Sequence, residues 1–509
     1  MRIWCVDEFE RDAHRHHGRT LSPGSARATP AFEGDVDHAR LRRWTLIATI
    51  IGSSMTFIDA TVVNIALPTI GRDLNAGLTA QQWVMLSYSL AVASLYIVSG
   101  ALGDRYGRRV LFAVGTAGFA AASALAGLAP NTAVLIGARL LQGVSGALLT
   151  TNSLALLRAT YASDSGRAVG LWTAWSGIGT LAGPPLGGLI VQYATWRLIF
   201  FINLPAAAVT LLLAWLGRTD EGQGQARHVD VIEAVAAAVT FGGLTYVLVE
   251  ASQAGLRTVV PWIGLTAAGA VALVLLQLRS PTPLVPRTLF RERLFLVANL
   301  CTFLVYAALG ASTFYLALYL QSQDVGYTPL RASFVFVPVS LLMFFLAARF
   351  GRLADRDGPR RYLTLGPLAM AAGMLLFTLI TDTNPLRPVP GVLLFAFGLS
   401  MTVAPITSTA LKAAPATESG VAAGVNTTVS RLGGLLATPV LGIVIVAVFS
   451  ASTGAHHGDP FATTGTSADA RAAATSAFRA GMVVAAGLCI AGALVALRGL
   501  PGGPGVDRS

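Results

Sequence analysis

Long apolar runs alternate with short polar breaks along nearly the whole chain. Runs rich in Ala, Val, Leu, Ile and Phe fall at about 44–69, 81–103, 110–129, 132–157, 168–192 and 198–217, then at 230–250 and 259–278. Six more follow at about 294–320, 332–350, 362–381, 390–411, 420–450 and 475–498. Most hold about 20 residues, the length a helix needs to cross a hydrocarbon layer of roughly 30 Å. The pattern predicts an all-α polytopic membrane protein of fourteen transmembrane helices. Six lie in 44–217, an inserted two-helix hairpin lies in 218–293 behind a polar linker (218–229), and six lie in 294–498. Residues 1–43 form a polar stretch without periodicity, and 499–509 a short tail. The first lacks the apolar core of a cleavable signal peptide. Its His14, His16 and His17 read as part of a disordered tail rather than as a metal site.

Composition removes the soluble alternative that 509 residues would otherwise allow. Hydrophobic residues make up 54% and charged residues 12%, about half the charged share of a soluble domain. The net charge of +11 then reflects loops at a membrane face, and nucleic acid is not implied. With the N-terminus inside, the loops and C-terminal tail on that side hold 19 of the 36 Arg and Lys. The N-terminal tail holds 8 and the outer loops hold 6. This bias predicts both termini in the cytoplasm. Cys5, Cys301 and Cys489 have no paired spacing, so neither a disulfide nor a metal is indicated. His456, His457 and Asp459 read as a solvated outer loop.

The most informative polar break is Gly100-Ala-Leu-Gly-Asp104-Arg105-Tyr-Gly107-Arg108-Arg109. A second copy stands 251 residues later as Gly351-Arg-Leu-Ala-Asp355-Arg356-Asp-Gly358-Pro-Arg360, with Gly, Leu, Asp, Arg, Gly and Arg at the same relative positions. A repeat of this kind points to a chain of two related halves, a common transporter plan. Glycine suits the tight turn between two helices. The Asp and Arg residues suit a gating charge network at the membrane face.

Ionisable groups within apolar runs are costly there, which makes each one a functional candidate. Asp59 is the only charge in the first run, with Asn64 and Pro68 downstream. A carboxylate withdrawn from water holds its proton more readily, which suits a proton carrier. Arg139 in the fourth run is followed by Gln142 at three residues, beside Gly143 and Gly146, which allow a neighbouring helix to come close. In the fifth run Gly179, Gly183, Pro184, Gly187 and Gly188 form a close-packing face with a bend signal. Asn426 and Arg431 make a polar stripe in the second half. Glu250 ends the seventh run as a further candidate.

Together these motifs resemble the major facilitator superfamily, in particular its fourteen-helix drug:proton antiporter branch. Gly100–Arg109 looks like the loop signature between helices two and three. Arg139 with Gln142 and Gly143 is similar to the basic motif of helix four, and Gly179 to Gly188 to the antiporter motif of helix five. Asp59–Pro68 resembles the helix-one motif of the branch, and Trp196-Arg197 through Asn203 and Pro205 its entry to helix six. The resemblance implies the major facilitator fold, proton coupling through Asp59 and Arg139, and export rather than uptake. Some members add a carboxylate in helix ten; none lies between Ala332 and Leu346.

The expectation is a proton-motive-force-driven exporter of lipophilic, cationic or neutral drugs or antibiotics in a bacterial cytoplasmic membrane. It would act as a monomer in the lipid bilayer, with protons as the coupling ion, no cofactor, no metal and no catalytic residues. A dedicated exporter of an endogenous metabolite is the alternative within the same class, and a membrane sensor the alternative outside it. An ATP-driven pump is excluded by the absence of a phosphate-binding loop: Lys412, the single lysine, is followed by Ala413.

Overall fold

A computed structural model describes residues 31–161, 165–217, 231–250, 256–279, 288–322, 325–381, 383–415, 419–454, 460–461, 467–501 and 503. The expectations for His14, His16, His17, His456, His457 and Asp459 fall outside these residues, as does the linker 218–229. The described residues are helical almost throughout. The first group of helices is α1 (Ala31–Asp73), α2 (Leu78–Tyr106), α3 (Arg108–Gly127), α4 (Thr132–Thr160), α5 (Ser165–Tyr193), α6 (Leu198–Phe201) and α7 (Asn203–Leu216). A hairpin follows, α8 (Val231–Glu250) and α9 (Leu256–Arg279). The last group is α10 (Arg293–Gln321), α11 (Pro329–Asp357), α12 (Pro359–Phe377), α13 (Pro388–Lys412), α14 (Ser419–Thr453) and α15 (Ala468–Gly499).

Among the described residues, ten helices are long and apolar enough to cross a membrane, and eleven if α2, bent by 56° between Tyr96 and Val98, counts as one span. The chain is therefore a multi-span membrane protein. The helices Ser165–Tyr193, Val231–Glu250 and Pro359–Phe377, which carry the apolar runs expected at 168–192, 230–250 and 362–381, lie outside those eleven. One boundary moves. The helix starts at Ala31, inside the stretch read from sequence as an irregular tail to residue 43. Hydropathy marks where a chain enters apolar surroundings, whereas Ala39, Arg40, Leu41, Arg42 and Arg43 are good helix formers that extend α1 beyond that point.

The repeat in the sequence is also a repeat in the backbone. α2 and α11 are both 29 residues long, and adding 251 to the bounds of α2 gives those of α11. Each is separated from the next helix by a single glycine, Gly107 at φ +94° and Gly358 at φ +91°. These lie in the left-handed region that a Cβ disfavours. The glycine N–H bonds back to Gly103 O in one copy and to Ala354 O in the other, at 3.0 Å each. Packing repeats as well: α1 lies on α5 and α2 on α4, as α10 lies on α14 and α11 on α13.

Two bundles meet along two seams, α5 against α11 and α2 against α14. Hydrogen bonds between the bundles run from α10 instead, Gln82 Nε2 of α2 donating to Tyr315 Oη (2.7 Å) and Gln321 Nε2 donating to Ile65 O of α1 (3.1 Å), toward the end away from Gly107 and Gly358. There Gly188 is set against Ser333 and the Pro329 carbonyl, with no room for a side chain. The hairpin helix α8 packs on both α2 and α14, where Leu86, Val249 and Leu435 form a small core of their own.

Candidate functional site

Asp59 is wholly buried near the middle of α1, with other helices of the first bundle closing on it. An isolated charge there would be costly, and the site meets that cost with partners. Arg139 Nη1 on α4 donates to Asp59 Oδ2 at 2.5 Å and to Gln142 Oε1 at 2.9 Å. Gln142 Nε2 donates to Asp59 Oδ1 at 3.2 Å and to Ser123 Oγ on α3 at 2.8 Å. Asn203 Nδ2, the first residue of α7, reaches the same Oδ1 at 3.2 Å and Ser123 Oγ at 3.3 Å. Arg139 Nε donates to the Val84 carbonyl on α2 at 3.2 Å, and the guanidinium lies 4.5 Å from the Tyr88 ring centre. These five side chains are each no more than 2% exposed. The result is a dry ion pair whose acceptors and donors come from four helices, with a fifth lending a carbonyl and a ring.

Local sequence explains how Asn203 arrives. Pro205 lacks the N–H that would bond the Phe201 carbonyl, and the helix breaks at Ile202 between α6 and α7. The corner before it is pinned by Trp196 Nε1 donating to Asp73 Oδ2 (2.8 Å) and by Arg197 Nη1 donating to the Ala129 carbonyl (3.0 Å).

Of the residues singled out from sequence, Asp59, Arg139 and Gln142 are brought together. Asn64 is not: no hydrogen bond reaches its buried Oδ1, and five residues of helix turn it about 140° around α1 from Asp59. Asn203 and Ser123 supply the polar contacts instead. The helix-five glycines divide between two neighbours. Gly179, Gly183 and Gly187 face α1 at Ser54, Thr61 and Val62, and Gly188 faces α11. Pro184 and Pro185 are carried inside α5.

The two loop copies part company in their charges. Asp104 pairs with Arg108 one turn on (2.8 Å), and Arg108 Nη1 reaches the Ala155 carbonyl of α4 at 3.5 Å. Arg109 Nη1 donates to the Ala214 carbonyl of α7 at 2.9 Å. Arg105 lies 5.2 Å from the ring centre of its neighbour Tyr106. In the second copy the place of Arg108 is taken by Pro359, and Asp355 accepts from Lys412 Nζ on α13 at 2.7 Å. Arg356 approaches Asp357 only at 3.9 Å, and Arg360 makes no ion pair among the described residues. Gly100 packs against Thr151, and Gly351 against Ala404.

The polar stripe of α14 splits. Asn426 turns to α10, donating to Asn299 Oδ1 (3.2 Å) and Thr302 Oγ1 (2.8 Å). Arg431 turns to α2, with its guanidinium 5.6 Å from the Tyr96 ring centre. Glu250 accepts from Trp83 Nε1 at 3.2 Å, beside Tyr246 and Trp262, whose ring centres are 4.4 Å apart.

The family model of the Major Facilitator Superfamily matches residues 49–438. The chain belongs to this superfamily. It is 35% identical over 426 residues to the multidrug resistance protein Stp of Mycobacterium tuberculosis, covering 82% of this chain and 78% of that one. It is 34% identical to the tetracenomycin C resistance and export protein of Streptomyces glaucescens, covering 80% and 76%. It is 30% identical to the multidrug efflux pump LfrA of Mycolicibacterium smegmatis, covering 80% and 82%. Among solved structures it shares the fold of a bacterial homologue of the human lysosomal transporter Spinster in an inward-facing, unoccupied conformation. The TM-score is 0.65 at 15% identity, covering 90% of this chain and 96% of that one.

Proposed function

We propose that this superfamily member is a proton-driven exporter of small lipophilic drugs or antibiotics, crossing a bacterial cytoplasmic membrane fourteen times with both termini inside. The observation that carries the reading is the dry Asp59–Arg139 pair, ringed by Gln142, Asn203 and Ser123. A proton reaching Asp59 removes the charge that holds Arg139, so contacts drawn from α1, α3, α4 and α7 loosen together. Such a site converts one proton into a rearrangement of the first bundle. The glycine face of α5 lets that helix shift against α1 and α11 without side chains to unlock. Efflux and export relatives at 30–35% identity support the direction. The basic turns at Gly107 and Gly358, with Arg105, Arg108, Arg109, Arg356, Arg360 and Lys412, support placing that end in the cytoplasm. In that orientation the cross-bundle contacts close the outer end, and the inner end is the one to load.

The test is proton flux driven by added drug in liposomes that contain the purified protein. Wild type is expected to show drug-dependent flux, and Asp59→Asn, which keeps the side-chain volume, is expected to lose it. Full coupled flux in that variant would remove Asp59 from the mechanism. Silence of folded wild type toward all drugs tried would overturn the exporter itself.

A further inference from the structure

Arg431 sits in the first half of α14 and reaches across the α2–α14 seam to the Tyr96 ring. It also lies within charge range of Tyr88 on α2 and of Tyr306 on α10. Among the described residues no carboxylate, carbonyl or hydroxyl accepts from it, and its Nε is shut from water without a partner. A guanidinium offers five donors in a fixed fork; its Nε is closed off without an acceptor, which is unfavourable, while the residue is only partly buried and its terminal nitrogens are open to an incoming group. Among the described residues no carboxylate supplies that acceptor: the buried Glu233 of α8 forms no ion pair with it, and Asp59 is already held by Arg139, Gln142 and Asn203. Glu250 is held at Trp83, thirteen residues from Tyr96 along α2, or about 20 Å of helix.

The charge balance between the bundles is thus uneven. Asp59 and Arg139 cancel, while Arg431 stands over. Its surroundings are aromatic, with tyrosines contributed by both bundles. We propose that Arg431 is the anion-binding group of the transport pathway, and that the cargo is a planar aromatic compound carrying a carboxylate, phenolate or sulfonate. The acidic oxygens take the guanidinium fork, and the ring lies against Tyr96. This inference rests on the exporter reading. It reverses the preference for cations that the sequence alone suggests, because an unpaired guanidinium repels them.

Three probes with one ring system test it: 1-pyrenecarboxylate, its methyl ester and 1-pyrenemethylammonium, which are anionic, neutral and cationic. Binding to the purified full-length protein is read by fluorescence anisotropy. Wild type is expected to bind the anion about tenfold more tightly than the ester, and the cation most weakly. In Arg431→Gln the anion is expected to lose that advantage, and in Arg431→Lys to regain most of it. An ester that binds wild type as tightly as the anion overturns the proposal without need of any variant. So does a cation that binds tightest, or an anion preference unchanged in a folded Arg431→Gln protein. Transport of the same probes in liposomes separates the two readings. Ordered binding without any transport keeps the Arg431 site and sinks the exporter, whereas transport indifferent to probe charge does the opposite.

Discussion

Two of the arginines inside apolar helices, Arg139 in the first bundle and Arg431 in the second, are treated in opposite ways. Arg139 gives its donors to Asp59, Gln142 and the Val84 carbonyl and lays its face on Tyr88. Among the described residues Arg431 has one aromatic ring beside it and no acceptor. The first is closed: its charge is matched within the protein. The second is open: its charge is matched only when something else arrives. Burial alone does not say what a charged residue is for; the state of its partners does.

Stability should separate the two most sharply. Arg139→Leu leaves Asp59 buried and unmatched, and should cost about 3–5 kcal/mol, read as a large drop in unfolding temperature in detergent. Arg431→Met removes an unmatched charge and should leave stability unchanged or raise it by about 1 kcal/mol. Equal losses in both variants would erase the contrast. A subtler difference between the halves lies at their turns. Gly107→Ala and Gly358→Ala both force a Cβ into the left-handed region, at about 1–2 kcal/mol each. Gly358→Ala should cost more, because its Cβ would also meet the Gly503 carbonyl, whereas that of Gly107 meets only Val110 at 3.7 Å. Unfolding temperatures of the pair check the order.

The helices, the twofold repeat and the Asp59–Arg139–Gln142 core were legible in sequence, because each leaves a local mark. An apolar run is long, a lone charge is conspicuous, and Arg and Gln three apart share a helix face. Asn203 and Ser123 left no such mark. They are neutral and stand on other helices, 144 and 80 residues from their partners Asp59 and Asn203. Asn64 misled through nearness in the chain, since closeness in sequence is not closeness around a helix. Lys412 was visible as the only lysine, but its pairing with Asp355 depends on the packing of α11 on α13. That pairing does have a sequence cause, readable in retrospect: Pro359 stands where the first copy has Arg108. The hairpin α8–α9 was legible as two apolar runs, whereas its position over the α2–α14 seam was not.

The uncancelled guanidinium of Arg431 also has an electrical meaning. On the proposed reading, with Asp59 and Arg139 cancelling, Arg431 adds one positive charge to the pathway, and moving one charge through the full potential is worth roughly 2.3 kcal/mol per 100 mV. On that reading an interior-negative membrane would draw the empty protein toward an inward-facing form, the one proposed to load cargo. A bound monoanion discharges the pathway and frees it to turn outward. Voltage then resets the machine and cargo releases it. Adding 1-pyrenecarboxylate to protein in a supported membrane should produce a transient charge displacement that Arg431→Gln abolishes.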